Sequence, residues 1–227
     1  MALNIVEKID GSVHINNVLM SVSDKNGLDL LVPGLIDANP DVKIYSTGGT
    51  YAAVKKILGA DASKHLIAVS DYTGQPEMQG GLVKTLDFKI YLGLLSETYN
   101  DAHQQDLQRV NGVPIDMVVV NLYPFRETVA KDDVTPETAR TNIDIGGPCM
   151  VRASAKNYLR VASITDPADY SDIVEELKSC DGMLSLAARL KLMKKAFEHT
   201  AQYDRAIADY FAKQTLGNVA ACYNVVV

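Results

Sequence analysis

Short apolar runs alternate with helix-like segments along the first two thirds of the chain. Five runs have the length of a strand and cover residues 18–22, 42–45, 66–69, 117–122 and 161–164. Between several of them, apolar residues follow a helical pattern over residues 27–38, 50–58 and 98–110. Strands that alternate with helices are typical of an α/β fold, so we predict a mostly parallel sheet flanked by helices.

The last third of the chain is patterned as successive helices, over residues 168–179 and 185–214. The apolar positions that recur at helical spacing in the second segment are Leu186, Leu190, Met193, Phe197 and either Thr200 or Ala201. We expect them to lie in the core or at a dimer contact rather than in a ligand site. The apolar tail at residues 219–227 is compatible with a final strand, a partner contact or a loose end.

Composition is that of a folded globular protein. Apolar residues make up 47% and charged residues 22% of the 227 residues. Neither a repeat nor a low-complexity linker divides the chain, so we predict a single domain over residues 1–227. The net charge of −6 and the lack of a basic block argue against a nucleic-acid-binding protein. An anionic ligand would therefore be held by local groups.

Cysteine and histidine usage argues against a metal site and a disulfide framework. The chain has three cysteines, Cys149, Cys180 and Cys222, and their spacing is not that of paired metal ligands. An odd number without such spacing suggests reduced thiols in the cytoplasm. The four histidines are scattered, so we predict neither metal binding nor histidine catalysis. Residues 1–17 carry charges, and the chain has no run of about 18 apolar residues. We predict neither export nor membrane spanning.

The segment STGGT, residues 46–50, joins the second predicted strand to a predicted helix. Glycines let the backbone turn sharply and expose its N–H groups, and the first turn of a helix carries unpaired donors and the positive end of the dipole. That combination suits a phosphate group. A tight turn without a ligand is the alternative interpretation.

Other polar residues follow the remaining predicted strands, where ligands gather in open α/β sheets. They are Ser23, Asp24 and Lys25, then Lys84 and Thr85, then Asn121 and Tyr123, and further on Asp144 and Lys156. Each also has a structural interpretation. Lys25 suits a solvated turn, Tyr123 a core aromatic, Asn121 a turn and Asp144 a helix cap.

Seven segments of the chain together carry a resemblance to a known family. In order, they are SVSDKNG, STGGT, SDYTGQPEMQGGLVKTL, NLYPFRETVA, NIDIGGPCMVRASAKN, DPADY and KAFEHTAQYDRAIADYF. They closely resemble the inosine monophosphate (IMP) cyclohydrolase domain of the bifunctional purine-biosynthesis enzyme. The resemblance covers about residues 18–213. It implies a methylglyoxal-synthase-like fold, a homodimer and no cofactor. The implied reaction closes the ring of 5-formamidoimidazole-4-carboxamide ribotide (FAICAR) to give IMP and water. It also implies a stand-alone cyclohydrolase, with a separate formylating protein.

The resemblance assigns a role to each matching position. The implied nucleotide and 5′-phosphate contacts are Ser23, Asp24, Lys25, Thr47, Gly48, Gly49 and Thr50. The implied contacts around the base are Val83, Lys84, Thr85, Asn121, Tyr123, Asp144, Ile145 and Gly146. Lys156 matches the proton donor or acceptor, and we expect Asp144 and Tyr123 to join it in a proton-transfer network. Lys84 is expected to stabilise the formyl oxygen as negative charge develops on it.

The chain departs from the family pattern in one segment. Where members usually have Arg-Val-Lys-Thr-Leu-His-Pro, this chain has Leu82 in place of arginine, Asp87 in place of histidine and Phe88 in place of proline, and Tyr91 replaces a further histidine. Leucine cannot supply a bidentate cationic donor, so another cation would have to compensate, and Lys89 is our candidate. Two alternatives remain open: a lyase resembling methylglyoxal synthase, and a catalytically silent nucleotide-binding or regulatory module.

Overall fold

A parallel sheet forms the centre of the protein. The structure, a computed structural model, describes residues 5–75 and 84–226. Its strands in chain order are β1 (Ser12–His14), β2 (Asn17–Val22), β3 (Lys43–Ser46), β4 (Leu66–Ala68), β5 (Met117–Asn121), β6 (Ala162–Ile164) and β7 (Met183–Ser185). Five of them pair in parallel in the order β4-β3-β2-β5-β6, while β1 and β7 form a separate antiparallel pair.

Helices connect the strands of the sheet. In chain order they are α1 (Leu28–Ala38), α2 (Gly48–Leu58), α3 (Ala62–His65), α4 (Val69–Thr73), α5 (Phe88–Leu95), α6 (Asp101–Arg109), α7 (Phe125–Val129), α8 (Pro136–Thr141), α9 (Gly146–Lys156), α10 (Tyr170–Ser179), α11 (Leu186–Phe211) and α12 (Leu216–Ala220). Short 3-10 turns precede α3 and α10, at Gly59–Asp61 and Pro167–Asp169. The predicted α/β fold with a mostly parallel sheet is confirmed.

Both faces of the sheet are covered, and each has its own hydrophobic cluster. Helices α1, α2 and α10 pack on one face, and α5, α9 and much of α11 pack on the other. Along β2, Val18 and Met20 belong to the first cluster and Leu19 to the second. Successive side chains of a strand point to opposite faces, so burial on both sides requires a continuous apolar run. This explains why the strands read as unbroken apolar segments.

A buried ion pair holds the two central strands in register. Arg160 Nη1 lies 3.1 Å from Asp116 Oδ1, and the same guanidinium donates to three backbone carbonyl groups. Asp116 Oδ2 accepts the backbone N–H groups of Asn16 and Asn17, at the start of β2. The pair therefore joins β2 to β5, whose carboxyl ends border the site described below.

The five predicted strands occur within one or two residues of the predicted bounds. The predicted helix at 98–110 begins at Asp101, because the Asn100 side chain accepts the His103 N–H and caps it there. The short helix α12 takes in the first two residues of the apolar tail, and residues 221–226 form no strand, so a final strand is not observed in the described part of the tail. Single-domain organisation stays a prediction.

The buried positions of the long helix α11 differ in part from those that helical spacing predicts. Its buried positions are Arg189, Leu192, Ala196, Thr200 and Tyr203. The predicted Met193 and Phe197 are half-buried at the margin of the second cluster, and Leu186 and Leu190 are also half-buried. The buried stripe includes an arginine and a tyrosine, which an apolar pattern does not count. Among the described residues, no helix combines the length and hydrophobicity that crossing a bilayer requires.

Candidate functional site

A polar cleft opens at the carboxyl ends of the central strands. It has a volume of about 430 Å³ and lies between the loops that follow β2, β3 and β5 and the start of α9. The chain runs outward from β2 in both directions of the sheet, first to β3 and β4 and later to β5 and β6. Ligands of open α/β sheets bind at such a switch point.

Thirteen of the residues predicted from the sequence line this cleft. They are Ser23, Lys25, Thr47, Gly48, Gly49, Thr50, Lys84, Thr85, Asn121, Tyr123, Asp144, Ile145 and Gly146. They come from five separate segments of the chain, and the fold brings them to one place. The outer part of the cleft is open, since Tyr123 is 52% exposed and Ile145 is 55% exposed.

One end of the cleft has the features of an anion site. Two lysines reach the first turn of α2: a Cβ built on Gly48 would lie 3.2 Å from Lys84 Nζ, and one built on Gly49 would lie 3.8 Å from Lys25 Nζ. Within the described chain, no side chain caps α2 at Thr47. The helix start therefore presents its partial positive charge beside two ammonium groups, which is the environment that a phosphate prefers.

Glycine is required at position 48 for a conformational reason as well. Its φ of +49° lies in the left-handed region, where other L-residues are strained. Gly49 does not have a positive φ, and a Cβ there would meet Lys25 at ordinary contact distances of 3.7–3.8 Å. The two glycines thus serve different purposes: the first shapes the turn, and the second leaves space beside the lysine.

The loop after β2 is held in place by the end of β5. Asn121 Oδ1 accepts the Asp24 N–H at 2.8 Å, and Asn121 Nδ2 donates to the Asp24 carbonyl at 2.9 Å. The Asp24 carboxylate accepts the Asn26 N–H, and Asp24 does not line the cleft. Asp24 therefore shapes the turn that carries Lys25. Contact between Asp24 and the substrate stays a prediction.

Thr50 supports the cleft from below. Its buried hydroxyl accepts the Val22 N–H at 2.9 Å and donates to the Val22 carbonyl at 3.0 Å. These two bonds fasten the first turn of α2 to the end of β2, so the anion site is anchored to the central strand of the sheet.

Asp144 lines the same cleft, beside the start of α9. Its Oδ1 accepts the Gly147 N–H at 2.9 Å, so the carboxylate also caps this helix. Burial raises the pKa of the Asp144 carboxyl, although the Gly147 N–H acts in the opposite direction. A Cβ on Gly147 would overlap Asp144 Oδ2, and one on Gly146 would lie 2.9 Å from Thr85 Oγ1. Both glycines let neighbouring groups approach the helix closely.

Lys156 lies outside the cleft of its own chain. It is the last residue of α9 and is exposed, whereas the cleft contacts the first turn of the same helix. Ten residues of α-helix separate Gly146 from Lys156, which is about 15 Å along the axis. Within one chain, Lys156 therefore does not join Asp144 and Tyr123 in a single cluster, contrary to the network expected from the sequence.

One departure from the family pattern, Asp87, has a local structural explanation. Asp87 caps α5 by accepting the Lys89 N–H at 2.8 Å. Lys89 Nζ donates to the Tyr72 carbonyl at 2.8 Å and lies 4.2 Å from the centre of the Tyr72 ring. Lys89 does not line the cleft of its own chain, so its role as the compensating cation stays a prediction. Val83 and Leu82, two further predicted positions, lie outside the described residues.

The spacing arguments missed several residues that line or support the cleft. The additional lining residues are Ser21, Val22, Thr141, Ile143, Gly147 and Met150. Helical spacing contained a signal for Met150, because it follows Gly146 by four residues and shares its face of α9. Nothing in the local sequence indicates Tyr203, whose hydroxyl contacts the Asp144 loop from 59 residues away.

Comparison with known proteins identifies the family. A family model described as an MGS-like domain matches residues 31–149, which is more than half of the chain. The chain belongs to the MGS-like domain family. A second model, described as the AICARFT/IMPCHase bienzyme, matches residues 154–225, beyond the MGS-like segment.

Relatives of this MGS-like protein include curated bacterial enzymes. The bifunctional purine biosynthesis protein PurH of Synechococcus sp. (strain CC9605) is 45% identical over 196 residues, which are 86% of this chain and 36% of that protein. PurH of Streptococcus mutans serotype c is 47% identical over 196 residues, with the same coverage of 86% and 36%. PurH of Acetivibrio thermocellus is 44% identical over 200 residues, or 88% and 37%. The chain thus spans little more than a third of the length of these relatives.

A solved structure shares the fold over nearly its whole length. The protein described as "Crystal structure of ForH" superposes with a TM-score of 0.69 at 30% sequence identity. The match covers 87% of this chain and 98% of that one. The MGS-like architecture therefore occurs in a solved protein of similar extent.

Proposed function

We propose that this protein is an IMP cyclohydrolase that closes the ring of FAICAR to give IMP and water. The single observation that carries the proposal is the cleft. It combines a two-lysine anion site at the start of α2 with a buried carboxylate at the start of α9. The relationship to PurH proteins supports a role in purine biosynthesis, and the specific ring closure is our inference.

In this proposal, phosphate binding and proton transfer involve different groups of the cleft. Lys25 and the start of α2 would bind the 5′-phosphate, which fixes one end of the ribotide. Lys84, which also reaches Gly48, would extend the positive region toward the body of the cleft. The carboxamide and formamide groups would then lie toward Asp144 and Tyr123. Holding both reacting groups in one geometry lowers the entropic part of the barrier.

Ring closure requires two proton movements as well as the new bond. The carboxamide nitrogen attacks the formyl carbon, and the carbon–oxygen bond of the former formyl group then breaks. The oxygen leaves as water after taking one proton from the carboxamide nitrogen and one from the formamide nitrogen. Asp144 suits the transfer of these protons, because its raised pKa brings the carboxyl nearer to neutral pH, where a general acid–base works best.

We further propose that the protein acts as a homodimer and that Lys156 of the partner subunit completes the cleft. The exposed position of Lys156, about 15 Å along α9 from the cleft of its own chain, favours this arrangement. A mixture of Lys156→Ala and Asp144→Asn proteins should then regain activity, because some hybrid dimers would contain one intact site. Two inactive variants that stay inactive after mixing and subunit exchange would contradict the shared site.

Ring closure is tested directly with purified protein and FAICAR, following the ultraviolet absorbance of IMP. We expect IMP to form well above the uncatalysed rate and with no added metal. Tight nucleotide binding without turnover would instead favour a catalytically silent module, the alternative suggested by Leu82 in place of the family arginine. We place this activity in the cytoplasm, where the free state of Cys149, Cys180 and Cys222 would be maintained.

A further inference from the structure

Tyr203 links two parts of the cleft without lining it. It lies on α11, is 8% exposed, and its hydroxyl accepts the Asp144 N–H at 2.7 Å and donates to the Asn142 carbonyl at 3.4 Å. Burial raises the pKa of the phenol, so the hydroxyl stays protonated through neutral pH and remains able to donate. A single hydroxyl thus pairs with two backbone groups of the segment that carries the cleft carboxylate.

The ring of the same tyrosine supports the neighbouring wall of the cleft. It packs edge-on against Phe125, with ring centres 6.2 Å apart. Phe125 follows the Tyr123–Pro124 turn, and its N–H donates to the Tyr123 carbonyl at 2.7 Å. The hydroxyl of Tyr203 therefore contacts the Asp144 segment, and its ring contacts the segment that presents Tyr123.

We propose that Tyr203 is a positioning residue that holds Asp144 at the geometry needed for proton transfer during ring closure. This inference rests on the proposed function. The main-chain N–H of Asp144 is bonded to the Tyr203 phenol, while its side chain bonds to the start of α9, so the residue is held on two sides. Loss of one anchor frees the carboxylate to move. A displacement of about 1 Å at a reacting group can lower a rate about a hundredfold.

Tyr203→Phe removes the hydroxyl and keeps the ring that packs on Phe125. We expect kcat to fall at least tenfold while KM changes less than twofold, since the anion site is untouched. Tyr210→Phe is the matched control. Tyr210 also packs edge-on against Phe125, at 6.1 Å, and its hydroxyl has no hydrogen-bond partner in the part of the chain that the structure describes. The control should retain wild-type kcat.

A double-mutant cycle separates positioning from general loosening. If Tyr203 acts through Asp144, adding Tyr203→Phe to Asp144→Asn should change the residual kcat less than twofold. An equal fractional loss in both backgrounds, or a kcat for Tyr203→Phe that matches the Tyr210→Phe control, would overturn the proposal.

Hydrogen–deuterium exchange supplies a measurement that does not depend on activity. Backbone amides of residues 142–147 should exchange at least fivefold faster in Tyr203→Phe than in wild type or in Tyr210→Phe, because the Asp144 N–H loses its acceptor. Unchanged exchange would refute the anchoring role even if activity fell. If wild-type protein failed to convert FAICAR, the proposed function would fail, and exchange alone would still decide whether Tyr203 anchors the segment.

Discussion

Replacing Lys25 by methionine should weaken the binding of IMP about tenfold and leave the binding of inosine, which has no phosphate, unchanged. Lys25 Nζ lies 3.8 Å from the Cβ position of Gly49, so an anion seated on the first turn of α2 would lie within about 4 Å of the ammonium group. Methionine keeps the length and apolar character of the lysine side chain and removes its charge.

The magnitude follows from the distance and the exposure of the charge. Two unit charges about 4 Å apart attract by about 1 kcal/mol in water and about 4 kcal/mol near a protein surface. Desolvation offsets part of this, and hydrogen bonds to charged groups contribute about 1.5–3 kcal/mol net. Because Lys25 is exposed, we take the lower end of this range, about 1.5 kcal/mol, which is roughly a factor of ten in affinity.

Isothermal titration calorimetry with IMP and inosine measures both affinities. Lys55→Met is the matched control, since Lys55 is exposed and lies in the last turn of α2, whereas the cleft contacts the first turn of that helix. The difference between Lys25→Met and wild type should shrink at about 1 M salt, where charges are screened within about 3 Å. Equal weakening of IMP and inosine, or an equal effect of Lys55→Met, would refute the assignment of this end of the cleft to the phosphate.

Gly48→Ala should lower the free energy of unfolding by about 1–2 kcal/mol, because φ is +49° at that position, whereas Gly49→Ala should be neutral. Denaturant unfolding measures both variants. A larger loss for Gly49→Ala than for Gly48→Ala would contradict the turn geometry. Arg160→Met should cost about 3–5 kcal/mol in the same assay by leaving Asp116 buried without its cation, and a loss below about 1 kcal/mol would disprove that pairing. Burial raises the pKa of the Asp144 carboxyl, so the folded state binds the carboxyl proton more tightly than the unfolded state does. The free energy of unfolding therefore falls as the pH rises from the unfolded-state pKa through the folded-state pKa. Asp144→Asn should therefore be more stable than wild type at pH 7 and equal to it below about pH 4, with turnover lost; a less stable variant at pH 7 would contradict this sign.

Local patterns were sufficient to predict the fold. The five central strands are buried on both faces, so each had to be a short continuous apolar run, and the helices between them carry one apolar face each. The STGGT segment also predicted an anion site from local sequence alone. A left-handed Gly48, an uncapped helix start and a following helical pattern are all properties of adjacent residues.

Contacts between distant segments decided which of the predicted residues line the cleft, because these contacts depend on how the whole chain folds. The sequence alone determined the α/β architecture and the residues gathered at the carboxyl ends of the strands. Only the tertiary structure distinguished Asp24 and Lys89, which bond to backbone groups outside the cleft, from the lysines that reach the α2 start. Only the tertiary structure brought Tyr203 to Asp144 across 59 residues. The physical reason is that secondary-structure preferences act within a few residues, whereas a side-chain hydrogen bond is set by the packing of whole helices on the sheet.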